Sequence, residues 1–211
     1  MTKTSEVVPD VYDVTVRETN GGRYRVFVVD GEVPTIVDAG FGDTVDTVVD
    51  AVDDLGIDPE RIAVTHGDGD HVGGLAGLVD ALDLESWVPA ECQAALGVEP
   101  DHRFEDGDAV GPFEAVHVPG HTEDAYALVD ESRDVAVLGD AVFGATARGL
   151  PAGHFVLPPG FFSADLNRAD ESLERLLDYE FEAGLVFHGE SVTSGASRKI
   201  ERFVRFDGRP E

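Results

Sequence analysis

One stretch, Thr65-His66-Gly67-Asp68-Gly69-Asp70-His71-Val72-Gly73-Gly74, constrains the fold more than any other part of the chain. Two histidines and two aspartates fall within six positions, separated by glycines that let the backbone turn tightly. The stretch grows out of residues 61–65, which read as a short strand, and runs into residues 73–82, an apolar helix. Four short polar side chains therefore converge where a strand gives way to a helix. Histidine and carboxylate are ligands for zinc, manganese or iron. A solvated acidic turn would account for a lone aspartate here; the interleaved histidines point to a metal.

Four other segments repeat the placement. Val37-Asp38-Ala39-Gly40, Val118-Pro119-Gly120-His121, Leu138-Gly139-Asp140 and Phe187-His188-Gly189 each put an Asp or His after an apolar run. Each alone is a turn-former; five together form a coordination pattern. The apolar runs at 11–16, 23–30, 34–38 and 84–88 read as strands, with Asn20-Gly21-Gly22 as a turn between the first two. Residues 44–55 read as a helix, with Val45, Val48, Val49, Val52 and Leu55 on one face. Strands follow at 113–118, 126–130, 135–138 and 185–187, and helices at 165–179, with Ser163 as its cap, and 195–206. Strands then helices, twice over, suggest two sheets packed face to face with helices outside. A chain of 211 residues suits one domain.

The charge excludes several functions. With 15 Lys+Arg against 43 Asp+Glu, net −28, the chain lacks the cationic face that phosphate contacts or anionic lipid demand. No nucleic acid and no membrane partner are expected. The acids are scattered through nearly every segment, which suits a halophilic protein whose acidic surface is screened in concentrated salt. The single cysteine, Cys92, cannot form an internal disulfide and reads as a buried residue in a helical setting. The first residues lack the apolar run of a signal peptide, and no stretch reaches the roughly 20 apolar residues of a membrane span. A cytoplasmic protein is expected.

From Asp38 to His188 the motifs, in this order, resemble the metallo-β-lactamase superfamily, and among its members the single-domain glyoxalase II-like hydrolases. The resemblance implies an α+β, αββα four-layer sandwich of two mixed β-sheets flanked by helices. It makes residues 1–211 a single domain of two similar halves, about 1–105 and 106–211. It places the family's His-x-His-x-Asp-His motif on His66, Asp68, Asp70 and His71, the third histidine on His121, the bridging aspartate on Asp140 and the last histidine on His188. Asp38 matches the aspartate that supports the ligand loop. One departure stands out: the motif's second histidine is Asp68 here. If Asp68 ligates, the first metal site is His66, Asp68 and His121, the second is Asp70, His71 and His188, and Asp140 bridges them. If Asp68 turns away, one metal remains. The expected cofactors are two divalent metal ions, zinc foremost, with manganese or iron favoured by the carboxylate.

The implied chemistry is hydrolysis of a small ester-like bond, thioester or lactone, by a metal-bound hydroxide oriented by the catalytic Asp70. Residues 144–162, rich in Gly, Pro and aromatics, read as a long covering loop over a small-molecule substrate. His154, Phe155, Phe161 and Phe162 are its candidate substrate contacts. Two rivals remain: a mono-iron sulfur or persulfide dioxygenase built on His66, Asp68 and His121, and a non-catalytic metal-binding scaffold. His102 and His117 receive no role, and the oligomeric state is open.

Overall fold

Alternation along the strands sorts the apolar side chains into three separate contact layers. On β3 (Gly22–Val29), Val26 and Val28 face one way and Phe27 and Val29 the other. On β10 (Tyr126–Asp130), Ala127 and Val129 part in the same manner from Tyr126 and Leu128. A period of 2 is what a strand buried on both faces requires. The computed structural model describes residues 3–19 and 22–206, so of the expected turn Asn20-Gly21-Gly22 only Gly22 is among them.

Seven strands among the described residues make the first sheet: β1 (Lys3–Val8), β2 (Val11–Thr19), β3, β4 (Thr35–Val37), β5 (Arg61–Ala63), β6 (Glu85–Pro89) and β7 (His102–Phe104), in that spatial order. β1 to β4 pair antiparallel and β4 to β7 parallel. The first two parallel steps are made by α1 (Val45–Leu55) and by α2 (Gly69–Val72) with α3 (Leu75–Leu82), and the third by the non-helical residues 90–101. The second sheet takes β8 (Ala109–Val110), β9 (Phe113–His117), β10 and β11 (Val135–Val137). The chain then makes a two-stranded ribbon, β12 (Phe143–Gly144) with β13 (Phe155–Val156), and returns as β14 (Ala183–Leu185), parallel to β11. α4 (Leu166–Ser172) precedes β14 and α5 (Ala196–Val204) follows it.

The three contact layers define four structural layers. Val48, Val52, Leu75 and Leu78 of α1 and α3 pack on one face of the first sheet. Phe27, Phe104, Phe113 and Leu128 fill the space between the sheets. Leu173, Leu176, Ile200 and Val204 cover the outer face of the second. This is the αββα sandwich. Among the described residues no helix is long and apolar enough to cross a membrane.

Several local expectations are corrected. β1, β7 and β8 lack an apolar alternation long enough to read: β1 is polar and largely exposed, and β8 has two residues. The helix expected at 73–82 begins at Leu75, and a separate short helix, α2, precedes it; Gly73 and Gly74 between them press against the backbone of residues 39–42. The cap of α4 is Asp165, which accepts from the N–H groups of Asn167 and Arg168, whereas Ser163 is turned toward His121. After Ser172 the chain tightens into a 3-10 turn over Leu173–Asp178. Cys92 is buried but sits in a turn after β6, its N–H bonded to Pro89 O, and not in a helix.

Candidate metal centre

The candidate ligands and the supporting Asp38 stand on loops that follow five strands and converge at one edge of the sandwich. Asp38 follows β4, and residues 66–71 follow β5 and enter α2. His121, Asp140 and His188 follow β9, β11 and β14. Main-chain bonds lock the loops together: Ala39 N–H donates to His71 O at 2.7 Å, and Tyr126 N–H of β10 donates to Thr65 O at 2.9 Å. His121 is held by a turn at Gly120 with φ +140°, where a Cβ would lie 2.1 Å from Ala169 N of α4. Only glycine allows that helix to approach so closely.

All seven expected ligands come together. The ligand atoms of His66, Asp68 and His121 lie within 4.8 Å of one another, as do those of Asp70, His71 and His188 and those of His66, His71 and Asp140. Asp68 Oδ2 is 3.1 Å from His121 Nε2 and 3.7 Å from His66 Nε2, so it turns toward the cluster. Asp140 stands between the two groups, 3.6 Å from His71 Nε2, 3.5 Å from His121 Nε2 and 3.3 Å from His188 Nε2. His188 Nε2 also lies 3.4 Å from Asp70 Oδ2.

Three imidazoles are oriented from behind. His71 Nδ1–H donates to Asp38 at 2.9 Å. His66 Nδ1 is 3.1 Å from the Thr65 hydroxyl, which itself donates to Asp38 at 3.0 Å. His121 Nδ1 is 3.3 Å from Ser163 Oγ, whose hydroxyl donates to Pro159 O. With Nδ1 as donor, each Nε2 presents a lone pair to the cluster. His66 Nε2, His71 Nε2 and Asp140 Oδ1 are buried and make no hydrogen bond. Buried polar atoms without partners are rare, and three aimed at one spot fit divalent cations bound by imidazole and carboxylate.

The sequence model of the metallo-β-lactamase superfamily matches residues 21–183. The chain belongs to that superfamily. Over 222 aligned positions it is 28% identical to an atrochrysone carboxyl ACP thioesterase of Passalora fulva, covering 97% of this chain and 62% of that protein. A hydroxyacylglutathione hydrolase of Francisella tularensis is 30% identical over 121 positions, 56% of this chain and 44% of the relative. The chain thus spans under two thirds of the length of both. Among solved structures it superposes on TTHA1623 in a di-iron-bound form with TM-score 0.68, at 24% identity, covering 88% of this chain and 97% of the other. It superposes on the metallo-β-lactamase FIM-1 of Pseudomonas aeruginosa, in a mono-zinc form, with TM-score 0.76, at 14% identity, covering 99% and 97%. Both likenesses are of fold.

The protonation pattern of this metallo-β-lactamase centre is that of paired ions. Burial pushes His71 down, but the carboxylates of Asp38 and Asp140 outweigh it and raise the ring well above its ordinary value. Burial likewise opposes protonation of His188, yet Asp140 and Asp70 lift it to about 9. Asp140 is held well below the usual carboxylate range by His71 and His188 against its own burial. Asp68 is lowered by its hydrogen bond with His121 and by the nearby His66 ring. Divalent cations would take the place of these protons.

A cleft of about 400 Å³ opens over the cluster. Asp68, Asp70, His121, Asp140 and His188 form its floor, and Tyr24, Phe143, Arg148, Pro159 and Phe162 its walls. The His188 ring is flanked by Phe143 at 4.5 Å and Tyr24 at 5.0 Å. Of the four expected substrate contacts, only Phe162 lines this cleft. His154 and Phe155 line a separate groove against α5, because pairing of β12 with β13 turns them to the other side of the loop. Phe155 is largely in the core and Phe161 is 91% exposed. Tyr24, Phe143, Arg148 and Pro159 were not singled out in the sequence. Phe143, three positions beyond Asp140, carried a positional signal; Tyr24, distant in the chain, carried none. His102 pairs with Glu85 and His117 donates to Glu123 O, both away from the cluster.

Proposed function

We propose that the chain is a metal-dependent hydrolase of small thioesters, with lactones as the neighbouring substrate class. The observation that carries this reading is the convergence of the partnerless His66 Nε2, His71 Nε2 and Asp140 Oδ1 under an open, partly apolar cleft. The relatives named above, a thioesterase covering nearly the whole chain and a hydroxyacylglutathione hydrolase, support it. His66, Asp68 and His121 would hold one divalent ion, Asp70, His71 and His188 a second, with Asp140 shared. Zinc fits the histidines; Asp68 widens the choice to manganese or iron. Such ions lower the pKa of water and polarise the substrate carbonyl.

The residues of the chain do the rest. Asp70, about a quarter exposed at the cleft floor, is the carboxylate placed to orient the attacking water and accept its proton. Phe143 and Phe162 exclude bulk water from the acyl portion, and Arg148 at the rim meets a polar or anionic part of the substrate.

The test is elemental analysis of protein purified in molar KCl, followed by a panel of thioesters and lactones. Asp70→Asn should abolish turnover while the fold is retained. Full activity in that variant would remove the reading. His66, Asp68 and His121 also form a two-histidine, one-carboxylate set within 4.8 Å. Stoichiometric iron with oxygen uptake on a persulfide would establish the dioxygenase reading in place of hydrolysis.

A further inference from the structure

His188 differs from the other three histidines of the cluster. His66, His71 and His121 each have an Nδ1 partner, whereas among the described residues no side chain meets Nδ1 of His188. Its orientation must come from its backbone and from the rings beside it. His188 O accepts from Gly144 N–H at 2.9 Å. Gly189 turns with φ +79°, where a Cβ would lie 2.3 Å from Gly144 O. The other side of the same loop is held by one side chain from the opposite sheet.

That side chain is Arg25 of β3, 1% exposed. One guanidinium nitrogen donates to Gly189 O, and the other donates to Ser191 Oγ at 3.3 Å. Ser191 Oγ also accepts Val186 N–H at 3.2 Å, so the fork closes the loop from Val186 to Ser191 around His188. Tyr24, the preceding residue, touches the ring itself. The register of β2 against β3 shifts opposite this pair, between Thr15 and Arg17. Such irregularities re-aim side chains.

Burying this group is costly. Its countercharge is Asp13, 3.4 Å away and 3% exposed, and the Arg25 Nε has no hydrogen-bond partner. A buried ion pair is weak evidence for stability, because desolvation offsets the attraction. What the arrangement supplies is a planar fork with two fixed donors, which lysine cannot reproduce.

We propose that Arg25 is a positioning residue for His188 and sets the affinity of the second metal site selectively. The inference rests on the reading that Asp70, His71 and His188 hold an ion. The experiment is stepwise titration of metal-free protein with Co²⁺ in molar KCl, following absorbance, with melting of the metal-free forms alongside. Arg25→Lys keeps the charge opposite Asp13, and Ser191→Ala keeps both buried charges while removing the bond from Arg25 to Ser191 Oγ. In Arg25→Lys the set of Asp70, His71 and His188 should lose about 10- to 100-fold in affinity, the scale seen when a residue orienting a ligand is removed, so that one of the two binding constants falls. Ser191→Ala should lose less at the same site, and the first site should hold its wild-type constant in both. Wild type taking up two ions, with both constants unchanged in the variants or lowered equally, overturns the inference alone. Wild type taking up a single ion overturns the two-metal reading and this inference with it.

Discussion

Asp38→Asn isolates the hydrogen bond behind a metal ligand from the packing around it. Asp38 is 1% exposed and accepts from Thr65 N–H at 2.8 Å, from the Thr65 hydroxyl at 3.0 Å and from His71 Nδ1–H at 2.9 Å. Its backbone has φ +65°, a conformation that asparagine also tolerates, so the loop should keep its path. The amide oxygen can retain the bond from Thr65 N–H. The amide nitrogen then faces His71 Nδ1, donor against donor. To relieve that, His71 must move its proton to Nε2, the atom that points into the cluster. Loss of such an orienting partner lowers metal affinity about 10- to 100-fold. At about 1.4 kcal/mol per tenfold, this is roughly 1.4 to 2.7 kcal/mol. A second effect opposes it: removing the Asp38 charge makes His71 easier to deprotonate, which favours metal. The assay is zinc competition against a chromophoric chelator at fixed pH and molar KCl. Affinity that is unchanged or tighter in the variant would show that charge, and not the tautomer, governs His71, and would refute the reasoning.

Other outcomes follow from the same geometry. Asp68→His should raise zinc occupancy and move the pH optimum downward, since the site becomes one unit more positive; unchanged metal content would remove Asp68 from the ligand set. With His188 at about 9, its ring carries the extra proton near neutrality in the metal-free protein. Metal loading should therefore release about one more proton at pH 7 than at pH 10, measured by calorimetry in buffers of different ionisation heat. Equal release at both values would contradict the paired-ion description. A surface of net −28 should melt higher as KCl rises from dilute to molar, and a falling melting temperature would refute salt adaptation.

What could be read in the sequence was governed by local chemistry. Strands buried on both faces, such as Val135–Val137, announce themselves as apolar runs. The ligand loops announce themselves because histidine and aspartate recur, beside glycine, at one strand end after another. The doubled order of strands and helices was enough to suggest two packed sheets. Edge strands were not legible: Lys3–Val8 is polar, and its pairing is decided by β2. Nor was the direction of side chains on the long loop. Phe155 and Phe162 look equivalent in the sequence, but the pairing of Phe143–Gly144 with Phe155–Val156 sends one into the core and leaves the other at the cleft. The clamp from Arg25 to Gly189 joins residues 164 positions apart, and no short-range pattern announces it.

The ribbon β12–β13 and the loop it carries have one further consequence. The candidate metal ligands stand on loops at the sheet ends, where displacement would deform the sandwich. The cleft walls Ala147, Arg148, Pro159 and Phe162 stand on residues between Gly144 and α4, outside both sheets. The candidate ligands and most of the cleft wall, Tyr24 of β3 apart, thus stand on separate parts of the chain. Substitutions or length changes in that segment can alter the width and polarity of the cleft while the ligand geometry is preserved. The shape of the cleft can drift in such a protein without the ligand cluster being rebuilt.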